Sequence, residues 1–316
     1  LYVSIPTSSG FSSILQNVGK MQNSGFEFSL LTRNVAKKNF KWTTDFNISF
    51  NRNKVLDVQG LPPDAFESGQ PGEGRVMEGY PVGQAYLVQY AGVSQTDQII
   101  TEHDANGNAI GTTSVKAGQA LYYDKYGNLM TSKNPYFYEH RVARGNPNPK
   151  FNGGITNTFT YKSFDFSFLF SFVYGNTLYD DPAKTQIGDL THIAQRPEVL
   201  DAWTPYNMDT DVPMLMYSEP SVNSDRYLYD ASFLRLRSIT IGYKIPAEIC
   251  RKYKLESVKI YLAATNIWTL TKYPGWDPEV MRNVDPNSQQ GNISFAGPSL
   301  QTPQAKTFGG GIQIEF

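Results

Sequence analysis

The sequence predicts an all-β protein, an antiparallel transmembrane β-barrel wall, and three observations carry that prediction. Residues 164–174 read Phe-Asp-Phe-Ser-Phe-Leu-Phe-Ser-Phe-Val-Tyr, with an aromatic ring at every second position. No run approaches the ~18 apolar residues that a spanning helix requires. Patterned stretches are joined alternately by short turns and by long aperiodic segments, as in an outer-membrane barrel whose loops are long on one side only.

The aromatic stripe is the strongest of the three. Successive side chains on a strand point to opposite faces. Phe164, Phe166, Phe168, Phe170, Phe172 and Tyr174 therefore form one wall, and Asp165, Ser167, Leu169, Ser171 and Val173 the other. A two-layer protein core interdigitates large and small residues to fill its volume, which six stacked rings do not allow. Ten steps of about 3.3 Å tilted by roughly 40–45° rise about 24 Å, the height of the apolar band of such a barrel. The six rings are read as lipid-facing.

The remaining elements follow in order. Residues 1–23, rich in Ser, Gly and Asn, read as a loop running into a strand, and 25–33 alternate Phe26, Phe28 and Leu30 against Glu27, Ser29 and Leu31. After a polar turn at 34–39, Phe40, Trp42, Thr44, Phe46, Ile48 and Phe50 share one face, and Lys41, Thr43, Asp45, Asn47, Ser49 and Asn51 the other, a clean period-two strand. Within 55–150, the stretches 83–92 and 117–123 read as a further pair of strands, separated by a polar segment with an Asn106-Gly107 turn signal. Asn146-Pro-Asn-Pro-Lys150 leads into a strand at 151–161, and a turn at 161–163 into the stripe. Residues 175–225 have no periodicity; an insert of that size counts against a compact soluble domain and for a long barrel loop. In 233–245, Ile239, Ile241, Tyr243 and Ile245 share parity with Arg235 and Arg237, which places the arginines above the bilayer or at a bulge. One or two helical turns fit 246–256. Val258, Ile260, Leu262 and Ala264 face outward on a strand ending near Trp268, 272–305 is loop-like, and Phe308, Gly310, Ile312, Ile314 and Phe316 line the last strand.

Seven strands result, or nine with the pair in 83–123. With short turns periplasmic and long loops extracellular, the chain starts outside and finishes in the periplasm, which needs an odd count, whereas a complete bacterial barrel has an even one. An open sheet leaves two rows of unpaired backbone groups in hydrocarbon. The chain is expected not to close by itself. It opens on Leu1 without a signal segment and is read as a fragment or processed piece.

Composition narrows the function. Lys and Arg number 28 against 29 Asp and Glu, a balance that gives no electrostatic reason for a nucleic-acid partner. Mean hydropathy of −0.40 is compatible with a barrel, whose lumen and loops are polar. Cys250, the single cysteine, is read as an ordinary thiol and permits no internal disulfide. His103, His140 and His192 sit in unrelated loop contexts, and Asp180, Asp181, Asp209 and Asp211 read as solvated loop charges, so no catalytic or metal centre and no cofactor is expected. Gly309-Gly-Gly311 lacks the strand-to-helix transition of a phosphate loop and lets another segment approach. Trp203, Tyr206, Tyr273 and Trp276 are the ligand or partner contacts, flat amphipathic rings in loops, with loop packing as the alternative. Phe316, terminal on an alternating strand, resembles the outer-membrane assembly signal.

Several stretches together resemble the C-terminal part of the SusC/RagA family of TonB-dependent outer-membrane transporters. They are Asn17-Val-Gly-Lys-Met-Gln-Asn-Ser-Gly-Phe-Glu27, Gly145-Asn-Pro-Asn-Pro-Lys-Phe151, Tyr161-Lys-Ser-Phe-Asp-Phe166 with Tyr174-Gly-Asn176, residues 203–213, Phe233-Leu-Arg-Leu-Arg-Ser-Ile-Thr-Ile-Gly-Tyr243, and Thr265-Asn-Ile-Trp-Thr-Leu-Thr-Lys-Tyr-Pro-Gly-Trp-Asp-Pro-Glu279. The resemblance implies a plugged barrel of roughly 22 strands, capped by a SusD-like surface lipoprotein and driven by TonB, importing glycans or peptides. The plug, TonB-box and signal residues are not in this sequence. Family members often carry an acidic glycine-bearing loop before the Gly-Asn-Pro stretch; here the corresponding 123–129 keeps only Asp124, Gly127 and Asn128, too few carboxylates for a calcium ion. The expectation is therefore one barrel segment over 1–316 in the bacterial outer membrane, no enzyme, with Lys41, Asp45, Asn47, Asn51, Asp165 and Ser167 facing the lumen. Rival readings are a passive porin and a soluble all-β carbohydrate-binding or glycan-degrading protein.

Overall fold

The alternating stretches become long strands because each can bury or shield one face while the other carries hydroxyls, amides and charges. Seven of them pair in a single antiparallel sheet: β1 (Lys20–Ala36), β2 (Phe40–Asp57), β3 (Phe151–Tyr161), β4 (Phe164–Tyr174), β5 (Phe233–Lys244), β6 (Ser257–Thr271) and β7 (Thr307–Glu315). The computed structural model describes residues 19–58, 74–187, 194–216, 222–279 and 302–316, with short pieces at 2–4, 8, 10, 13–15 and 67–68. In it the seven strands run as a meander, each beside its neighbours in sequence, and β1 and β7 form the two open edges. The 25–33 pattern is the middle of a longer strand. Before it, Tyr2–Ser4 pairs with Ser13–Leu15 apart from the wall.

Register aligns the apolar residues across the whole wall. Phe166 stands opposite Phe159 on β3 and Ile241 on β5; Phe159 stands opposite Trp42 on β2, and Ile241 opposite Leu262 on β6. Rings touch along and across the strands: Trp42 stacks on Phe159 at 5.6 Å, Phe159 on Phe166 at 6.0 Å, and Phe170 meets Trp268 edge-on at 6.3 Å. Asn157, opposite Phe168 on this face, is satisfied in place, its Oδ1 accepting from Trp42 Nε1 at 2.8 Å and Thr44 Oγ1 at 2.7 Å.

A β-bulge resolves the mixed parity of β5. Against β4, Phe170 pairs with Leu236 and Leu169 with Ser238, so Arg237 is the extra residue; against β6, Leu236 pairs with Trp268 and Ser238 with Thr265, so Arg237 faces two residues, Asn266 and Ile267, and Asn266 takes a left-handed φ of 53°. The shift returns Leu234 and Leu236 to the face of Ile239, Ile241 and Tyr243, and turns Arg235 to the other face, as a bulge does. Of the two placements predicted for the arginines, the bulge is the one found.

The two ends of the sheet differ. At one end β1–β2, β3–β4 and β5–β6 are joined by residues 37–39, by Lys162-Ser163 with Lys162 at φ 53°, and by a segment holding the short helix Ala247–Lys252. At the other end the connections β2–β3, β4–β5 and β6–β7 are long, and they fold on one another. Strand Gln89–Val93 pairs with Ala120–Tyr123, Gln98–His103 with Ala109–Val115, and Thr177–Tyr179 with Leu228–Asp230. The pair expected in 83–123 exists, but as short strands of this loop layer, so the wall has seven strands among the described residues and not nine. Likewise 175–225 is not structureless. It contributes the helix Asp181–Gln186, capped by Asp180, and most of the main buried cluster, in which Leu87 from the β2–β3 connection meets Tyr179, Ala183, Ile187, Ala202, Val212 and Tyr227. The buried core of the described residues lies in this loop layer, and none of the stripe rings belongs to it.

Candidate functional site

Two surfaces and one layer of loops are available to act. Among the described residues, the rings of the stripe face meet rings of the same sheet, with Lys150 Nζ over Tyr174 at 5.9 Å and Lys162 Nζ over Tyr161 at 5.5 Å, and the flanks are open: Phe26, Leu262, Leu270, Phe308 and Ile312 are each more than half exposed. Among the described residues no second β-layer covers the rings.

The opposite face is hydroxylic and charged. Lys41, Asp45, Asn47, Asn51, Asp165 and Ser167 lie on it in register, beside Thr43, Thr158, Thr160 and Thr240. Lys259 Nζ reaches Asp165 at 3.0 Å, two strands away, across Gly242 on the strand between them. A Cβ at Gly242 would lie 2.6 Å from both the Asp165 carboxylate and the Lys259 stem, so the bridge crosses in this geometry through space that the glycine leaves open.

Above this face Arg235 ties the wall to the start of the β6–β7 connection. Its Nη2 donates to Asp277 Oδ1 at 2.6 Å, Nη1 to Glu279 Oε2 at 2.7 Å and Nε to Thr269 at 3.0 Å, and Arg237 donates to the other Glu279 oxygen. Burial raises the Asp277 pKa, but hydrogen bonds from Arg235 and from the backbone N–H groups of Glu279 and Gln304 outweigh it and hold the carboxyl below the usual range. This clamp was not read from the sequence. Its signal was present as two charges of one sign spaced i, i+2 on a strand and two of the other, Asp277 and Glu279, spaced alike in the next long loop.

The four loop aromatics do not gather into one site. Trp203 and Tyr273 are buried, contrary to their reading as ligand contacts. Trp203 covers Gly118 and donates from Nε1 to Gln95 Oε1 at 3.1 Å, pinning two connections together, while Tyr273 packs with Leu178 and Ala231. Tyr206 and Trp276 are 100% and 60% exposed.

The histidines need correcting too, since two of the three come together: His140 Nε2 lies 3.2 Å from the His103 carbonyl and His103 Nδ1 3.5 Å from Asp124. His192 lies outside the described residues, as do Asn17 and Val18 and most of 272–305. In the turn at Asp124, both carboxylate oxygens already accept, from Tyr126 N, Asn128 N and Asn128 Nδ2 at 2.8–2.9 Å. Asp104 repeats the turn with Asn106 and Asn108, and Tyr126 donates to Ala105 O at 3.1 Å, so the two turns lean on each other. Asp180 is not a solvated loop charge either. It is buried, caps the helix and accepts a bidentate pair from Arg196 at 2.8 and 3.0 Å.

No family model matches the chain. TonB-dependent receptor P3 of Formosa agariphila is 32% identical over 99% of this chain and 30% of its own length, and P26 of that organism 31% identical over 100% and 31%. TonB-dependent receptor SusC of Bacteroides thetaiotaomicron is 27% identical over 95% of this chain and 28% of its own length. The RagAB peptide transporter superposes with a TM-score of 0.75 and 26% identity, over 99% of this chain and 31% of that one. The chain is a relative of the SusC/RagA-type TonB-dependent receptors. Such receptors are outer-membrane β-barrel proteins. For a TonB-dependent receptor relative, an antiparallel wall with one ring-covered face and one hydroxylic face is the expected fold, and the chain spans about a third of the length of the relatives it matches.

Proposed function

We propose that this chain is the C-terminal part of the barrel wall and extracellular loop layer of a TonB-dependent importer of glycans or peptides. The single observation that supports this most is the division of the seven-stranded meander: rings outward, hydroxyls and charges inward, and all three long connections folded together at one end. An even-numbered closed barrel in lipid needs further strands to satisfy the edges of β1 and β7, and the plug and TonB-contact segment lie in the same remaining length. In this reading the stripe from Phe164 to Tyr174 faces lipid, Phe316 is the assembly signal, and the exposed Tyr206 and Trp276 meet cargo or a SusD-like lipoprotein. The wall does no chemistry; the work of transport comes from coupling to TonB.

The test is uptake by cells carrying the full-length receptor. Labelled oligosaccharides and peptides are offered to cells with and without TonB, and uptake of at least one class is expected to vanish without it. Undiminished uptake in cells lacking TonB makes the protein a passive porin and overturns the proposal.

A further inference from the structure

Arg226 lies in the turn Asp225–Tyr227, where the β2–β3 and β4–β5 connections meet. Its guanidinium carbon stands 5.3 Å from the ring centroids of both Tyr90 and Tyr227, with Tyr122 and Tyr229 close by. Two other arginines of the loop layer hold carboxylates, Arg144 taking Asp225 at 2.7 Å and Arg196 taking Asp180. The surroundings of Arg226 differ. Among the described residues no carboxylate is within ion-pair distance of it, and its one hydrogen bond is a long donation from Nη1 to the Tyr227 hydroxyl at 3.4 Å. The adjacent Asp225 is committed, one oxygen to Arg144 and the other to the backbone N–H of Tyr90 at 2.7 Å.

The surrounding tyrosines supply no counter-charge. Tyr90 donates its hydroxyl to the Asp211 backbone oxygen at 2.7 Å, and burial pushes its pKa well above the ordinary value, so it stays neutral. A guanidinium carries five N–H donors in one plane. Here rings stand over its faces, the long bond to Tyr227 is the one partner that its in-plane donors have among the described residues, and the residue is only partly buried. A desolvated cation without a partner is costly, and the group that matches a guanidinium edge in charge and geometry is a carboxylate taken by two parallel hydrogen bonds.

We propose that Arg226, in its tyrosine-lined recess between two long connections, binds a carboxylate on the transported ligand. This rests on the import reading above and narrows its substrate class to acidic cargo: a peptide with a free carboxylate, or an oligosaccharide containing a uronic acid.

The test measures equilibrium binding to the purified full-length receptor with two probe pairs, a short peptide as free acid and as C-terminal amide, and a galacturonate oligomer as free acid and as methyl ester. The free acid of one pair is expected to bind about ten- to hundred-fold tighter than its neutral form, and which pair shows it identifies the source. In R226M the preference disappears while binding of the neutral form is unchanged. R226K, which keeps the charge and loses the fork, retains a reduced preference and serves if R226M fails to show the heat-dependent gel mobility of a folded barrel. Equal binding of acid and neutral forms in both pairs, or a preference that survives R226M, overturns the proposal. TonB-dependent uptake is scored separately, so a receptor that imports without preferring acids defeats this inference and leaves the import reading standing.

Discussion

At the scale of single residues, the wall is decided by what each side chain finds opposite it. Phe168 sits mid-strand among Phe159, Phe166 and Phe170 with no covering layer among the described residues. If hydrocarbon touches it, F168R costs roughly 2–4 kcal/mol, the penalty for arginine at a bilayer midplane. Unfolding of the full-length receptor from lipid vesicles measures this, and an unchanged midpoint would show that the face does not meet lipid. Asp277 offers a second case. D277N removes one of the two counter-charges of Arg235, itself only 3% exposed, and is expected to cost about 1–3 kcal/mol. Because the folded carboxyl titrates below its ordinary value, its contribution is complete above the unfolded value of about 4 and is lost as pH falls through the lower folded one. Proteolysis in the 272–279 segment is therefore slow at neutral and mildly acidic pH and accelerates only in strong acid, whereas in D277N it is fast throughout.

At the scale of elements, the bulge in β5 keeps an apolar face continuous through a strand carrying two arginines. One extra residue converts Arg235 from a charge that would meet the rings into the anchor of the β6–β7 connection. The loop layer is held differently, by a conventional apolar core. Leu87 is fully buried at the meeting of two connections, and L87A is expected to destabilise that layer by about 2–5 kcal/mol. Hydrogen exchange should quicken across 84–93 and 178–187 while the β3–β4 ladder keeps its protection. The last strand ends at Glu315, and Phe316 follows it, 90% exposed. If it is an assembly signal, its deletion lowers the amount of receptor in the outer membrane and leaves transcript level unchanged, which quantitative blotting of membrane fractions tests.

At the scale of the molecule, the sheet has two free edges among the described residues, and the core of those residues lies outside it. A wall of this kind has no reason to be stable in water by itself, since one face is aromatic and both edges present unpaired backbone groups. The isolated 316-residue chain is expected to require detergent, and light scattering that shows a dispersed monomer without it would argue for a soluble all-β protein. The same architecture explains the mean hydropathy, because residues of the loops and of the hydroxylic face outnumber those of the ring-covered face.

The sequence by itself determined the wall. Period-two alternation is a local code, so strand identity, the set of rings that share one face and the division into long and short connections were all legible from one residue to the next, in 40–51 and 164–174 above all. Tertiary structure alone decided what depends on contacts between distant segments. Nothing local says that 83–92 and 117–123 pair with each other apart from the wall, that Trp203 closes over Gly118, or that His140 reaches His103. The bulge at Arg237 belongs here as well, because parity is read along one strand while a bulge is defined only against its partner. The same holds for Arg226: that no carboxylate among the described residues reaches it is a property of what packs around it, and no stretch of the sequence contains it.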